Sequence, residues 1–297
     1  MNKDVQVKRV YIGNADGMIN WRGKMGSNSM PALNARVLQK NELTPRLMIL
    51  RIAADGWDLP EFEAGQYVVL GLPSSASRSP LSLPEHYPPE EGKLIRRAYS
   101  IASSSVQHEY LDFYINMVSN GALTPRLFNL EVGDRLWLSA HVTGMFTLAD
   151  VPPDKNIILI ATGTGLAPYM SMLTTYLECD GPRQIAVLHG AYNSWDLGYR
   201  AELMMIQHMC SNFSYLATID RPEKEPVPWH EHTGWVQDLL AQGEVEKVWG
   251  FRPTPDNTHV FLCGNPGMIK ACADLLEGQG FIEHSRKQSG QIHVERY

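Results

Sequence analysis

The stretch IILIATGTGLAP at 157–168 reads as a buried strand that passes through a glycine turn into a helix. Glycines let a backbone approach a pyrophosphate closely, and a helix N-terminus offers unpaired N–H groups and a positive dipole. The turn lacks the lysine of a triphosphate-binding loop, and Pro168 stands where a Rossmann fingerprint has its third glycine. Alone, a G-x-G turn is a weak signal that a structural bend also satisfies. A second set is Arg96-Arg97-Ala98-Tyr99-Ser100. Strand alternation puts Arg97 and Tyr99 on one side and Ser100 on the other, so a guanidinium and a flat ring are presented together, matching the phosphate and ring of a nucleotide. The bland alternative is an edge-strand arginine beside a half-buried tyrosine. Gly121-Ala122-Leu123-Thr124 adds a helix start suited to an anion, with Thr124 as N-cap, Pro125 at the first helical position and a helix to about Asn129.

Two kinds of pattern must position these residues. From Ala35 to about Thr147 the runs ARVLQK, RLMILRI, GQYVVLGL, RAYSIA, YLDFYINMV and RLWLSA predict five or six antiparallel strands closing into a small barrel. A serine-, proline- and acid-rich stretch at 74–92 interrupts them as a long surface loop. After Val151-Pro152-Pro153 the strands NIILIA, QIAVLHG, SYLATID and HVFLCG alternate with helical stretches that include LAPYMSMLTTYLE, GYRAELMMIQHM, HTGWVQDLL and PGMIKACADLLEGQG. That alternation predicts a doubly wound parallel sheet. The expected division is an extension over 1–32, a barrel domain over 33–150 and an α/β domain over 151–297.

Composition agrees with two globular domains: the chain has 297 residues, 44% hydrophobic and 20% charged. With 26 lysines and arginines against 32 acids the net charge is −6, which gives no global field for nucleic acid. No apolar run approaches the roughly 18 residues of a membrane span, and the start MNKDVQVKRV lacks a signal peptide's apolar core, so a cytoplasmic protein is expected. Cys179, Cys210, Cys263 and Cys272 have no metal-ligand spacing, so no metal site and four thiols are expected.

RAYS (97–100), GALTPRL (121–127), ATGTGLAP (161–168), FLCGNPGM (261–268) and VERY (294–297) occur in an order that resembles the ferredoxin–NADP⁺ reductase family, specifically its bacterial branch. The resemblance covers about residues 33–297. It implies an antiparallel β-barrel that holds FAD and a doubly wound α/β domain that receives NADP(H) in the cleft between them. Arg97, Ala98, Tyr99 and Ser100 would bind FAD: Arg97 at the pyrophosphate, Tyr99 against the isoalloxazine, Ser100 near the N5 atom that takes the hydride. Gly121, Ala122, Leu123 and Thr124 would supply donors to the same pyrophosphate. Thr162, Gly163, Thr164, Gly165, Pro168, Cys263, Gly264 and Asn265 would line the NADP site. The catalytic set would be Ser100, Cys263, Glu295 and Tyr297, with the Tyr297 ring stacked on the flavin until nicotinamide displaces it. Read singly, Tyr297 is also a frayed terminus and Cys263 an ordinary buried cysteine.

The chain departs from the family at His189-Gly190-Ala191-Tyr192, where some bacterial relatives carry an arginine. Arg200 and Arg221 remain as cations for a 2′-phosphate, favouring NADPH over NADH. The 74–92 loop exceeds that of the compact bacterial reductases, and its Tyr87 would stack on adenine unless the loop is only an insertion. The implied activity is electron transfer between NADPH and ferredoxin or flavodoxin through FAD. Such carriers are commonly acidic, so Arg126, Lys270, Arg286 and Lys287 are expected to form a basic rim. Alternatives on the same scaffold are an oxygenase's reductase component or a free-flavin reductase; a non-catalytic nucleotide-binding module is the alternative of another class.

Overall fold

The computed structural model describes residues 31–296. Tyr297 and all but Pro31 and Ala32 of the expected extension lie outside the described residues. The first half contains β1 (Ala35–Thr44), β2 (Leu47–Ala54), β3 (Tyr67–Pro73), β4 (Leu94–Ser100), β5 (Leu111–Asn116) and β6 (Arg135–Thr143). They form one antiparallel sheet in the order β4-β3-β6-β1-β2-β5. Its two edges meet just beyond β4, where the Ala102 N–H donates to the Asp112 carbonyl at 2.8 Å, so the sheet curls into the expected barrel.

Strand alternation explains one face of β2 and a second core explains the other. Met48, Leu50 and Ile52 point into the barrel with Phe113, Ile115, Leu136 and Leu138. Leu47 and Ile49, on the opposite face, pack into a separate cluster with Phe146, Tyr169 and Phe261. An uninterrupted apolar run therefore marks a strand covered on both sides.

That second cluster belongs to a six-stranded parallel sheet: β7 (Asn156–Thr162), β8 (Ile185–Ala191), β9 (Phe213–Ile219), β10 (His232–Thr233), β11 (Thr258–Cys263) and β12 (Ile292–Glu295), in the order β10-β9-β8-β7-β11-β12. Along β7, Ile157, Leu159 and Ala161 face one core and Ile158 and Ile160 face the other. Helices α2 (Ala167–Tyr176) and α3 (Arg200–Met209) contribute to the first core; α4 (Val236–Ala241), α5 (Glu244–Trp249) and α6 (Pro266–Glu277) contribute to the second. The sheet is doubly wound, and the chain reverses its direction of growth at β7. The crevice between the carboxyl ends of β7 and β11 is therefore the switch point, where open α/β sheets bind ligands. Among the described residues, no helix is long and apolar enough to cross a membrane.

Three local expectations need correction. The first helix, α1 (Thr124–Leu127), has Leu123 as N-cap and stops short of Asn129. Thr124 does not cap, because its Oγ1 accepts the Val118 N–H at 2.9 Å, and beyond Leu127 the bonds tighten to Asn129 N–H on Arg126 O and Leu130 N–H on Leu127 O. HTGWVQDLL is split: His232–Thr233 pairs with β9, Gly234 at φ +106° turns the chain, and the helix starts at Val236. Cys179 and Cys210 are not thiols but a disulfide, with Cα atoms 4.5 Å apart. Both chains emerging from α2 and α3 return to the starts of neighbouring strands, where Asn212 Nδ2 also donates to the Glu178 carbonyl at 2.9 Å. Cys263 and Cys272 are buried and outside the disulfide, and burial pushes the Cys272 thiol up to about 12.

His189 on β8 is fully buried, its Nδ1 3.1 Å from the Tyr215 hydroxyl, and desolvation pushes its pKa down to about 3. The folded value lies below the unfolded one of about 6.5. The unfolded chain thus takes up a proton first, and the stability this neutral histidine carries above that pH is lost as pH falls toward 3. Urea melts should show His189→Gln losing about 2 kcal/mol less than the parent between pH 6.5 and pH 5.

Candidate active site

Strand β4 ends at Ser100 and β12 ends at Glu295, and the two meet. Ser100 Oγ donates to Glu295 Oε2 at 3.0 Å, and Cys263 Sγ lies 3.5 Å from the same oxygen. Parallel pairing puts Cys263 of β11 directly opposite Glu295, so backbone register sets the second contact. Burial raises the Glu295 pKa, and the bonds from Ser100 and Cys263 oppose the rise. Three of the four residues expected to be catalytic therefore share one carboxylate oxygen. The fourth, Tyr297, lies outside the described residues.

On β4, Arg97 and Ala98 are exposed, and Tyr99 is half-buried with its ring edge-on to Phe113 at 6.4 Å. Burial raises the Tyr99 phenol's pKa well above its ordinary value, and Arg97 pulls it back. Arg97 Nη1 donates to its neighbour's carbonyl at 2.7 Å, and among the described residues no carboxylate pairs with it. The turn 121–124 is bent by a bond from the Gly121 N–H to the Val118 carbonyl at 2.8 Å. Among the described residues the N–H groups of Ala122 and Leu123 find no acceptor.

The glycines at the switch point divide into two kinds. A Cβ on Gly165 would sit 2.2 Å from the Cys263 carbonyl oxygen, and one on Gly264 (φ +133°) would sit 2.4 Å from Thr162 Oγ1. Those two let the turns after β7 and β11 touch, and the Asn265 N–H completes the contact by donating to Thr162 Oγ1 at 2.8 Å. Gly163, at φ +54°, meets nothing within 4 Å and faces open room. Residues Gly163–Leu166 form a 3₁₀ turn leading into α2, and Pro168 is buried in the first turn of that helix.

An oxidoreductase FAD-binding domain family matches residues 34–145, and an oxidoreductase NAD-binding domain family matches residues 159–274. The flavodoxin/ferredoxin–NADP reductase of Buchnera aphidicola subsp. Baizongia pistaciae is 31% identical over 237 residues, 80% of this chain and 88% of that protein. This chain belongs to the ferredoxin–NADP reductase family. The ferredoxin–NADP reductase of Azotobacter vinelandii is 30% identical over 241 residues, 79% of this chain and 86% of that one. A crystal structure of a ferredoxin NADP⁺ reductase from Neisseria gonorrhoeae with bound FAD and NADP shares the fold, with TM-score 0.71 at 22% identity over 88% of this chain and 97% of that one.

Against this family's pattern, the expected basic residues fall in unlike settings. Arg126 is not a rim cation: it is 5% exposed, and its guanidinium donates to Glu85 at 2.6 Å and to the carbonyls of Ala122 and Ser74. Lys270 pairs with Asp274, Arg286 lies against Met145, and Lys287 is exposed. Arg200 pairs with Glu231 and lies over the Trp229 ring, its Cζ 4.8 Å from the ring centre. Arg221 lies over the Tyr192 ring at 4.1 Å, so the tyrosine found in place of the expected arginine holds the other one. Sequence reasoning missed Tyr114, whose hydroxyl on β5 accepts the Gly198 N–H at 3.0 Å beside the start of α3. No local signal reveals a contact between residues 84 apart.

Gly165→Ala should cost about 3 kcal/mol in urea melts, because its Cβ meets backbone that cannot move without displacing β11. Gly163→Ala should cost only about 1 kcal/mol, the strain of a left-handed residue in open space.

Proposed function

We propose that this chain is an FAD-dependent reductase that passes electrons between NADPH and a separate carrier, ferredoxin or flavodoxin. The contact of Ser100 and Cys263 on one oxygen of Glu295 carries the reading, because it brings the barrel strand's end and the sheet's switch point to one place. Bound FAD supplies the chemistry of accepting two electrons as a hydride and releasing them one at a time.

The residues present fit both nucleotides. Arg97 lacks a carboxylate partner, and the unsatisfied N–H groups of Ala122 and Leu123 add two donors; together these suit a pyrophosphate. Tyr99 offers its ring to the isoalloxazine, and Ser100 offers a hydroxyl whose direction Glu295 fixes. Gly121 shapes the turn, and Thr124, whose hydroxyl is engaged with Val118, keeps its backbone N–H to offer. Gly163, with Thr162 and Thr164 beside it, leaves room for the second nucleotide's phosphates. Gly165, Gly264, Asn265 and Pro168 build the walls of that turn. Arg221, just past the end of β9 and held over the Tyr192 ring, suits a 2′-phosphate and favours NADPH, whereas Arg200 at the start of α3 is already paired with Glu231. Glu295 and Cys263 flank the place where nicotinamide would meet flavin, and Tyr297, two residues past Glu295 in sequence, would supply the ring that nicotinamide displaces. In this reading the barrel over 33–150 holds FAD and residues 151–297 hold NADP(H).

Anaerobic mixing with NADPH in a stopped-flow spectrometer should bleach the flavin band rapidly, and Ser100→Ala should slow bleaching about 10²-fold at unchanged FAD content, as loss of a positioned group does. Arg221→Ala should cut the NADPH-over-NADH preference about tenfold, the worth of one charge-assisted contact. Reversing Arg286 and Lys287 to Glu should raise KM for ferredoxin while ferricyanide reduction is unchanged; equal effects on both acceptors would remove these two from the docking rim.

A further inference from the structure

The loop 74–92 is clamped to the 119–124 turn by a partly buried ion network centred on buried Arg126. Glu85 Oε1 forms an ion pair with Arg78 at 2.9 Å and accepts a hydrogen bond from Arg126 at 2.6 Å, with side-chain exposures of 12%, 19% and 5% for Glu85, Arg78 and Arg126. Further guanidinium nitrogens donate to backbone carbonyls, while Arg126 Nε is buried without a partner among the described residues. Arg78 donates to Gly121 O at 2.8 Å, to Ser119 O at 3.2 Å and to Leu83 O. Arg126 donates to Ala122 O at 2.6 Å and to Ser74 O at 2.7 Å. Backbone bonds from Ser79 N–H to Pro125 O and from Leu83 N–H to Ser119 O, both 2.9 Å, seat the loop against the same turn.

The direction of these bonds matters more than their number. Every peptide bond among the described residues is trans, and a trans peptide holds its C=O and N–H on opposite sides. A guanidinium that grips the Gly121 carbonyl therefore turns the Ala122 N–H away from the network, and one that grips the Ala122 carbonyl does the same to the Leu123 N–H. Neither N–H group has an acceptor among the described residues.

We propose that Arg78 and Arg126, tied together by Glu85, are positioning residues for the flavin pyrophosphate: they pull two carbonyls inward and so hold two N–H donors outward. This rests on the assignment of the 121–124 turn to the FAD pyrophosphate. The 74–92 loop is then a brace for cofactor binding, acting through Arg78 on the loop and Arg126 on α1 without either being a cofactor contact. Glu85 keeps the two guanidinium groups side by side, where alone they would repel.

The test uses the full chain stripped of flavin and titrated with FAD and with riboflavin, which has the same ring and no phosphate, by flavin fluorescence. Glu85→Gln and Arg126→Lys should each weaken FAD binding on the order of tenfold, the worth of one charge-assisted contact, and leave riboflavin binding unchanged. Arg126→Lys keeps the charge but one ammonium cannot span Glu85, Ala122 and Ser74, so it serves should Glu85→Gln fail to fold. Equal losses for both flavins would mean a general lesion of the barrel and would overturn the proposal. Tighter FAD binding in Glu85→Gln would also overturn it, because buried positive charge and not donor geometry would then govern. Arg97→Ala separates the two levels. If it lowers the FAD-to-riboflavin ratio and the other two do not, the brace is wrong and the pyrophosphate assignment stands. An unchanged ratio in all three overturns both.

Discussion

For Ser100 to reach Glu295 across 195 residues of chain, two sheets of different construction must bring strand ends to one point within about 3 Å. The hydrogen bond itself is worth only about 1 kcal/mol net, too little to hold the halves together. What holds them is the shared apolar contact: Leu47 and Ile49 on the outer face of β2 and Tyr114 on β5 enter the same cluster as Phe146, Tyr169 and Phe261. Burying one such side chain contributes about 2 kcal/mol, so several together outweigh the polar contact severalfold. Directional bonds then fix the angle between the sheets. Ser171 Oγ donates to the Ser103 carbonyl at 2.7 Å, and Tyr114 accepts from Gly198. The hydrophobic contact thus supplies the energy, and the few polar contacts supply the geometry on which the site depends.

Whatever the chain decides within a few neighbouring residues was readable from it. The apolar run at 157–162, the glycines after it and the proline at 168 specify a strand, a turn and a helix, and that is what forms. RAYS could be placed on a strand with Ser100 at its end for the same reason. The function of each glycine was not readable. Gly165 and Gly264 answer to each other's turn across about 100 residues of chain, and only Gly163 faces open space, a distinction made by tertiary contact alone.

The misread residues share one cause. Thr124 has the type and position of an N-cap, yet its hydroxyl is taken by Val118; Arg126 has the type of a surface cation, yet Glu85 and two carbonyls bury it. Cys179 and Cys210 carry no spacing signal because strand order, not sequence distance, makes them neighbours. In each case a long-range partner overrides the local preference of the residue.

Charge shows the same override and explains which cations are available to a ligand. In a chain of net charge −6, acids are plentiful, and Arg51, Arg78, Arg126, Arg200 and Lys270 each have a carboxylate within 3 Å. A guanidinium so paired has its field largely cancelled, and drawing it to a phosphate would leave the carboxylate uncompensated. Arg97 is different: exposed, with no carboxylate partner among the described residues, it keeps its full charge at small desolvation cost. Leaving a cation unpaired in an acidic protein forgoes an exposed ion pair worth at most about 1 kcal/mol, while a phosphate docking there gains a charge-assisted contact of larger worth. The absence of a carboxylate partner for Arg97 among the described residues is thus as informative as the presence of one for Arg126, and in the proposed reading the two separate a residue for the anion from one for the backbone around it.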